Sequence, residues 1–159
     1  MRNKKIVSLK SLVSAVKKDK RAGKTIVFTN GCFDILHVGH IRYLKSARKL
    51  GDKLVLGLNS DASVRKLKGK DRPVVSQSER AELLAEFPFI DYIVVFGEAT
   101  PYRVIKAVLP EVLTKGGDWP PEKIIGSDVV LARKGKVKSL PYIKGRSTTN
   151  IIKKLLKSL

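Results

Sequence analysis

His37 and His40 are the two histidines of a 159-residue chain, three positions apart with Val38 and Gly39 between them. Ahead of them runs Thr25 to Thr29, a stretch of β-branched and aromatic residues suited to a buried strand. Asn30 and Gly31 punctuate it, and Val38, Ile41, Leu44 and Ala47 then repeat at helical spacing. The order strand, glycine turn, helix puts both imidazoles at a helix entrance, where unpaired amides and a partial positive charge suit an anion such as phosphate. Side chains three apart share one side of a helical turn, so the two rings can address one ligand. An imidazole of pKa ~6.5 donates from either nitrogen and, when protonated, adds charge. Gly39 leaves room for a ligand to approach the backbone. A zinc site from Cys32, Asp34 and both histidines is an incomplete alternative, because no second cluster completes it. Cys32 reads better as a small packing residue. Asp34 can hold Mg2+ or an acceptor hydroxyl, or bond locally to backbone amides.

The elements that must position these residues follow from periodicity. Ser8 is an N-cap for a first helix with Leu9, Leu12, Val13 and Val16 on one face, ended by Gly23. The helix from Val38 stops at Leu50-Gly51. Lys53 to Leu58 is a near-continuous apolar strand, as in a parallel sheet covered on both faces. Asn59-Ser60-Asp61 caps a short helical or irregular piece, and the basic stretch Arg65 to Pro73 reads as a loop. Ser76-Gln77-Ser78-Glu79 is a capping box opening a helix with Leu83, Leu84 and Phe87. Asp91 to Phe96 is a strand; Thr100-Pro101 supplies an N-cap and a first-position proline for a helix burying Val104, Ile105 and Val108. Glu111 to Lys115 is a strand, Pro121 or Glu122 to Ala132 a helix, and Val137 to Ile143 a fifth strand. The last helix starts near Ser147 and carries Ile151, Ile152, Leu155, Leu156 and Leu159. Alternating strands and helices predict a single α/β domain over residues 1–159, Rossmann-like and doubly wound, with a parallel sheet of about five strands; residues 1–24 form an N-terminal helix packed on it.

In such a sheet, ligands bind beyond the carboxyl ends of the strands. The chain places Asn30 to His40, Asn59 to Asp61, Lys115 to Asp118 and Gly145 to Thr149 at those ends. Gly116 and Gly117 allow close backbone approach there. Ser147, Thr148 and Thr149 supply more hydroxyls than capping one helix requires. No Walker A or dinucleotide glycine motif is present.

Composition bounds the class. A 43% hydrophobic, 30% charged chain with one cysteine and no apolar run near ~20 residues describes a soluble domain, expected in the cytoplasm, without an internal disulfide or a membrane span. The net charge of +19 raises nucleic acid as a partner, but its distribution argues against it. Residues 1–24 hold nine basic residues against one acid, residues 133–159 hold nine against none, and residues 25–132 hold fifteen against thirteen. The excess decorates the ends, as a solvated lysine-rich surface or as steering for anionic substrates. A basic nucleic-acid-binding module is the alternative of another class, and 6% aromatic content with no reader motif counts against it.

Gly31-Cys32-Phe33-Asp34-Ile35-Leu36-His37-Val38-Gly39-His40 resembles the HxGH motif of the cytidylyltransferase-like nucleotidyltransferase superfamily. Thr29 to Asp34, Asn59 to Ser63, Leu67-Lys68-Gly69, Arg72-Pro73-Val74, Lys115 to Asp118 and Ser147 to Lys154 are similar, in order, to the heptose 1-phosphate adenylyltransferases. The resemblance covers nearly the whole chain from about residue 10. It implies transfer of AMP from ATP to D-glycero-D-manno-heptose 1-phosphate, giving ADP-heptose and pyrophosphate by in-line displacement at the α-phosphorus, for bacterial lipopolysaccharide. It implies His37, His40 and Lys68 as catalytic phosphate ligands, with Arg65, Lys66 and Lys70 as surface. A nucleotide pocket is implied at Thr29, Asn30, Gly31, Cys32, Phe33, Gly39, Lys115, Arg146, Ser147, Thr148 and Thr149. Acceptor contacts are implied at Asp34, Asn59, Asp61, Arg72 and Asp118, with Arg80 as a further basic candidate or the partner of a carboxylate, and turn formation as the other reading of Asp118. Trp119 stands where the family often has tyrosine, which keeps the aromatic surface but loses a phenolic hydroxyl. Mg2+ is expected to enter mainly through the triphosphate, with no metal ligand assigned to the protein. Several relatives carry a sugar kinase domain in front; here a separate kinase is expected, and a homodimer is plausible. The runner-up keeps the chemistry and changes the substrates: a cytidylyltransferase acting on glycerol 3-phosphate or a similar small phosphate.

Overall fold

β1 (Ile26–Gly31) lies at the centre of a five-stranded, all-parallel sheet because its first four residues are apolar or uncharged and buried on both faces. The computed structural model describes residues 3–141 and 147–159. β1 is flanked by β2 (Lys53–Asn59) and β4 (Val112–Gly116); β3 (Tyr92–Phe96) and β5 (Lys136–Leu140) form the edges, in the order β3-β2-β1-β4-β5. The winding direction therefore reverses between β1 and β4, where open parallel sheets form a crevice.

Strand alternation divides the core into two layers. Val27, Leu54, Leu56, Leu58 and Ile93 meet α2 (Val38–Arg48) and α4 (Gln77–Ala85) on one face. Ile26, Phe28, Val55, Val94 and Phe96 meet α1 (Leu9–Arg21), α5 (Tyr102–Val108) and α6 (Ser127–Ala132) on the other. Ser8 caps α1, its hydroxyl accepting the Ser11 amide at 3.2 Å, and Leu12 and Val16 are the buried pair that docks it. The capping box at Ser76 and Glu79 forms as expected.

Several boundaries differ from those read in the sequence. α3 (Asp61–Lys68) continues through Arg65 to Lys68, where a loop was expected, and stops at Gly69, whose φ of 105° breaks the helix. Basic composition alone hid a helix whose Ser63 and Val64 are buried. Pro101 is itself the N-cap of α5, and Thr100 makes no capping bond. The helix expected from Pro121 to Ala132 is two pieces, a 3-10 turn over Pro121–Lys123 and α6, separated at Gly126 with φ 89°. A Cβ there would lie 2.6 Å from Ile105 Cδ1, so close packing as well as backbone angle holds the break. β5 ends at Leu140, and Ile143 lies outside the described residues. On α7 (Thr148–Ser158), Ile151 and Ile152 are half-buried, while Leu155, Leu156 and Leu159 are exposed rather than packed. Leu83 on α4 is exposed too, and Leu84 carries that helix's packing. Among the described residues no helix is long and apolar enough to cross a membrane.

Candidate active site

The crevice between β1 and β4 opens into a cavity of about 440 Å³. Its floor is Asn30 and Gly31 at the end of β1, Lys115 and Gly116 at the end of β4, and Asn59 at the end of β2. Cys32, Phe33 and Asp34 continue one wall; Lys68 at the end of α3, Arg72, His40 and Thr148 complete the sequence-predicted lining. Residues far apart in the chain thus meet where the sheet topology requires.

The two imidazoles adjoin one another, with ring centroids 3.9 Å apart. His37 is the N-cap of α2, and its Nδ1 accepts the Gly39 amide at 3.1 Å; His40 Nδ1 accepts the His37 amide at 3.3 Å. A nitrogen that accepts a hydrogen bond carries no proton, so each neutral ring keeps its hydrogen on Nε2. Burial, then the neighbouring His37 and the Lys68 ammonium, lower the His40 pKa to about 4. His40 therefore works as a neutral N–H donor at a helix N-terminus at neutral pH. Phe33 packs against His40 with centroids 5.3 Å apart and holds a left-handed φ of 46°, costly for an aromatic residue and typical of a site whose surroundings enforce it. Gly31 makes room for that ring: a Cβ on it would sit 2.8 Å from the Phe33 edge.

Positive charge comes from the facing wall. Lys68 and Lys115 line the cavity and form no ion pair among the described residues. Burial lowers the Lys115 ammonium from its usual range, the Cys32 thiol opposes the shift, and Lys68 adds to it. Asp34, the carboxylate on the wall, is already engaged: Oδ2 accepts Arg72 Nε at 2.6 Å, and Oδ1 accepts the Val74 and Val75 amides at 2.8 and 2.9 Å. Burial would raise its carboxyl pKa, but those amides and the guanidinium outweigh burial and hold it below the ordinary value. Of the two readings of Asp34, local bonding to amides is the one the geometry realises. Arg72 Nη2 is buried at this wall with no hydrogen-bond partner among the described residues.

Other expected ligands lie elsewhere. Thr29 is fully buried in β1, its hydroxyl 2.6 Å from the Tyr43 hydroxyl, because alternation turns it under α2 and away from the cavity. Asp61 accepts Arg80 Nη2 at 2.8 Å and does not line the cavity. Asp118 is exposed beyond the wall, since the chain past β4 is tied back by Gly117 N to Leu140 O (2.8 Å) and by Trp119 N to Ser139 Oγ (3.1 Å). Gly39 and His37 sit behind His40 rather than on the lining. Of the three hydroxyls at α7, Ser147 caps the helix by accepting the Asn150 amide at 3.1 Å, and Thr149 is exposed. Thr148 alone reaches the cavity, donating to Ile35 O at 3.2 Å and pinning α7 to the loop that carries His37. Arg146 lies outside the described residues.

The lining also holds residues that sequence reasoning missed. Tyr43 is one turn after His40 on α2, a spacing that would have found it, and bridges Thr29 to Thr114 (3.2 Å). Pro101 and Ile125 reach the cavity from loops and carry no sequence signal. No group of three His, Cys, Asp or Glu side chains among the described residues is arranged to hold a metal ion.

The Cytidylyltransferase-like family model matches residues 28–154. The Bifunctional protein HldE of Geobacter metallireducens is 54% identical over 97% of the chain, and that of Campylobacter fetus is 52% identical over 96%. The chain spans about a third of the length of those relatives, 31% in each case. Among solved structures, a lipopolysaccharide core biosynthesis protein from Thermoplasma volcanium superposes with a TM-score of 0.61 at 31% identity, over 78% of this chain and 100% of that one. Pantothenate synthetase from Thermus thermophilus superposes with a TM-score of 0.62 at 15% identity, covering 92% and 67%, which is a likeness of fold.

Proposed function

The chain belongs to the cytidylyltransferase-like family of nucleotidyltransferases, and on that footing we propose that it transfers AMP from ATP to heptose 1-phosphate, releasing pyrophosphate. The observation that carries the reading is the charge inventory of the cavity: Lys68, Lys115 and Arg72, the neutral His40 imidazole and one carboxylate already spent on Arg72 and two amides. A hydroxyl acceptor would need a base to take its proton, and among the described residues no uncommitted carboxylate lines the wall. A phosphate acceptor is already an oxyanion and needs none. Its oxygen attacks the α-phosphorus, the new O–P bond forms as the bond to the bridging oxygen breaks, and pyrophosphate departs with the electron pair.

The protein's part is then positioning and charge stabilisation. The His40 imidazole, on the cavity lining with His37 against it, donates from Nε2–H to the phosphate oxygens, while the lysines compensate charge building on the leaving group. Arg72, oriented by Asp34, addresses the acceptor phosphate, which would satisfy Nη2. Thr148 and the first amides of α7, pinned beside the histidine loop by the Thr148–Ile35 bond, add donors to the nucleotide phosphates. Mg2+ would enter bound to the triphosphate, whose phosphate oxygens are its ordinary ligands. The heptose acceptor is supported by the 54%-identical bifunctional relatives and by the 31%-identical lipopolysaccharide core biosynthesis protein. Its phosphate must come from a prior sugar-phosphorylating reaction.

Pyrophosphate release measured with ATP or CTP, each with heptose 1-phosphate or glycerol 3-phosphate, tests the assignment. Turnover with ATP and heptose 1-phosphate well above the other three pairs is the expected result. Preference for CTP with glycerol 3-phosphate would overturn the substrates, and silence with all four would overturn the reaction.

A further inference from the structure

Arg80, on α4, has no exposed surface and does not line the cavity, yet every nitrogen of its guanidinium is committed. Nε donates to Val75 O at 2.9 Å, Nη1 to Cys32 O at 2.5 Å and to Asn59 O at 2.9 Å, and Nη2 to Asp61 Oδ1 at 2.8 Å. Three of those acceptors are main-chain carbonyls from three separate segments: the exit of β1, the exit of β2 and the strap at residues 72–75. Burying a guanidinium is expensive, and a packed apolar side chain would fill the same space at less cost to stability. What an apolar residue cannot do is fix three backbone segments in one plane.

We propose that Arg80 is a positioning residue for the transfer reaction, setting the gap between the imidazole pair and the wall formed by Asp34 and Arg72. The linkage is explicit on both sides. Cys32 directly precedes Phe33, whose ring packs on His40, so the Cys32 carbonyl sets the height of the imidazole. Val75 gives its carbonyl to Arg80 and its amide to Asp34, and Asp34 holds Arg72. One planar group therefore spans from the nucleotide side of the cavity to the acceptor side. In-line displacement depends on that separation more steeply than binding of either substrate does, since a ~1 Å misplacement can cost ~100-fold in rate. The inference rests on the transferase reading above and deepens it by adding a residue that touches neither substrate.

The test is Arg80→Lys, which keeps the charge and loses the planar fork. It is assayed by pyrophosphate release at a temperature where circular dichroism shows wild type and variant equally folded. Expected is a fall in kcat of at least ~10-fold with the ATP KM within about twofold of wild type and a raised acceptor KM. A purely structural role lowers the melting temperature and leaves kcat and both KM values of the folded protein unchanged; that result overturns the inference. Should Arg80→Lys fail to fold, Asp61→Asn frees one side of the guanidinium at a part-exposed position, and the same split of kcat from ATP KM supports the inference while wild-type constants overturn it. A wild-type protein silent with every substrate pair contradicts the transferase reading instead, and is distinguishable from an active wild type beside a slowed variant.

Discussion

At the scale of residues, His40 does its work as a neutral ring, and this has a consequence for pH. The folded His40 pKa of about 4 lies below its ordinary 6.5, so the unfolded chain takes up the proton first. The stability contributed by keeping this ring neutral is complete above about pH 6.5 and is lost as pH falls toward 4. Melting curves from pH 7 to 4 should therefore show a declining melting temperature, with a shallower decline in His40→Gln. Asp34 adds a second prediction. Asp34→Asn keeps one acceptor oxygen but releases Arg72 and one amide, at a cost of ~1–3 kcal/mol in stability, measurable by urea unfolding, with the acceptor KM raised more than the ATP KM. The motif residues were legible because their types carry chemistry wherever the fold puts them. The sequence did not show that Asp34 is consumed by the wall or that Asp61 belongs to Arg80, because the partners lie 41 and 19 positions away in the chain.

At the scale of elements, local signals with a mechanism served well and composition served poorly. Capping at Ser8, Ser60, Ser76 and Ser147 marked four helix starts, since each hydroxyl bonds an amide two or three residues on. Charge density at Arg65 to Lys70 concealed the end of α3, whose exposed face is simply lysine-rich. The break at Gly126 was missed because its cause is tertiary: Ile105 of α5 occupies the space a side chain would need. Gly126→Ala should accordingly destabilise by ~1–3 kcal/mol through overpacking and an unfavourable left-handed angle, read by thermal melting, whereas alanine at exposed Ile125 should cost little. The break also bears on the site, because Ile125, just ahead of Gly126, reaches the cavity.

At the scale of the whole molecule, the order of strands brings together what the chain keeps apart: β1 and β4 are neighbours, and their carboxyl ends make one floor. The N-terminal helix belongs to this body, with Leu12 wholly buried among Phe28, Val104 and Ile105 of the second core layer. Leu12→Ala is expected to cost ~2–5 kcal/mol in a single cooperative unfolding transition, seen in urea titration. The account as a whole stands on the imidazole pair serving the reacting phosphates, and the most direct measurement is the steady-state kcat of folded His40→Ala with saturating ATP and heptose 1-phosphate. A loss of ~100-fold or more, the usual cost of one transition-state donor, is the predicted result. Turnover equal to the wild type would contradict it.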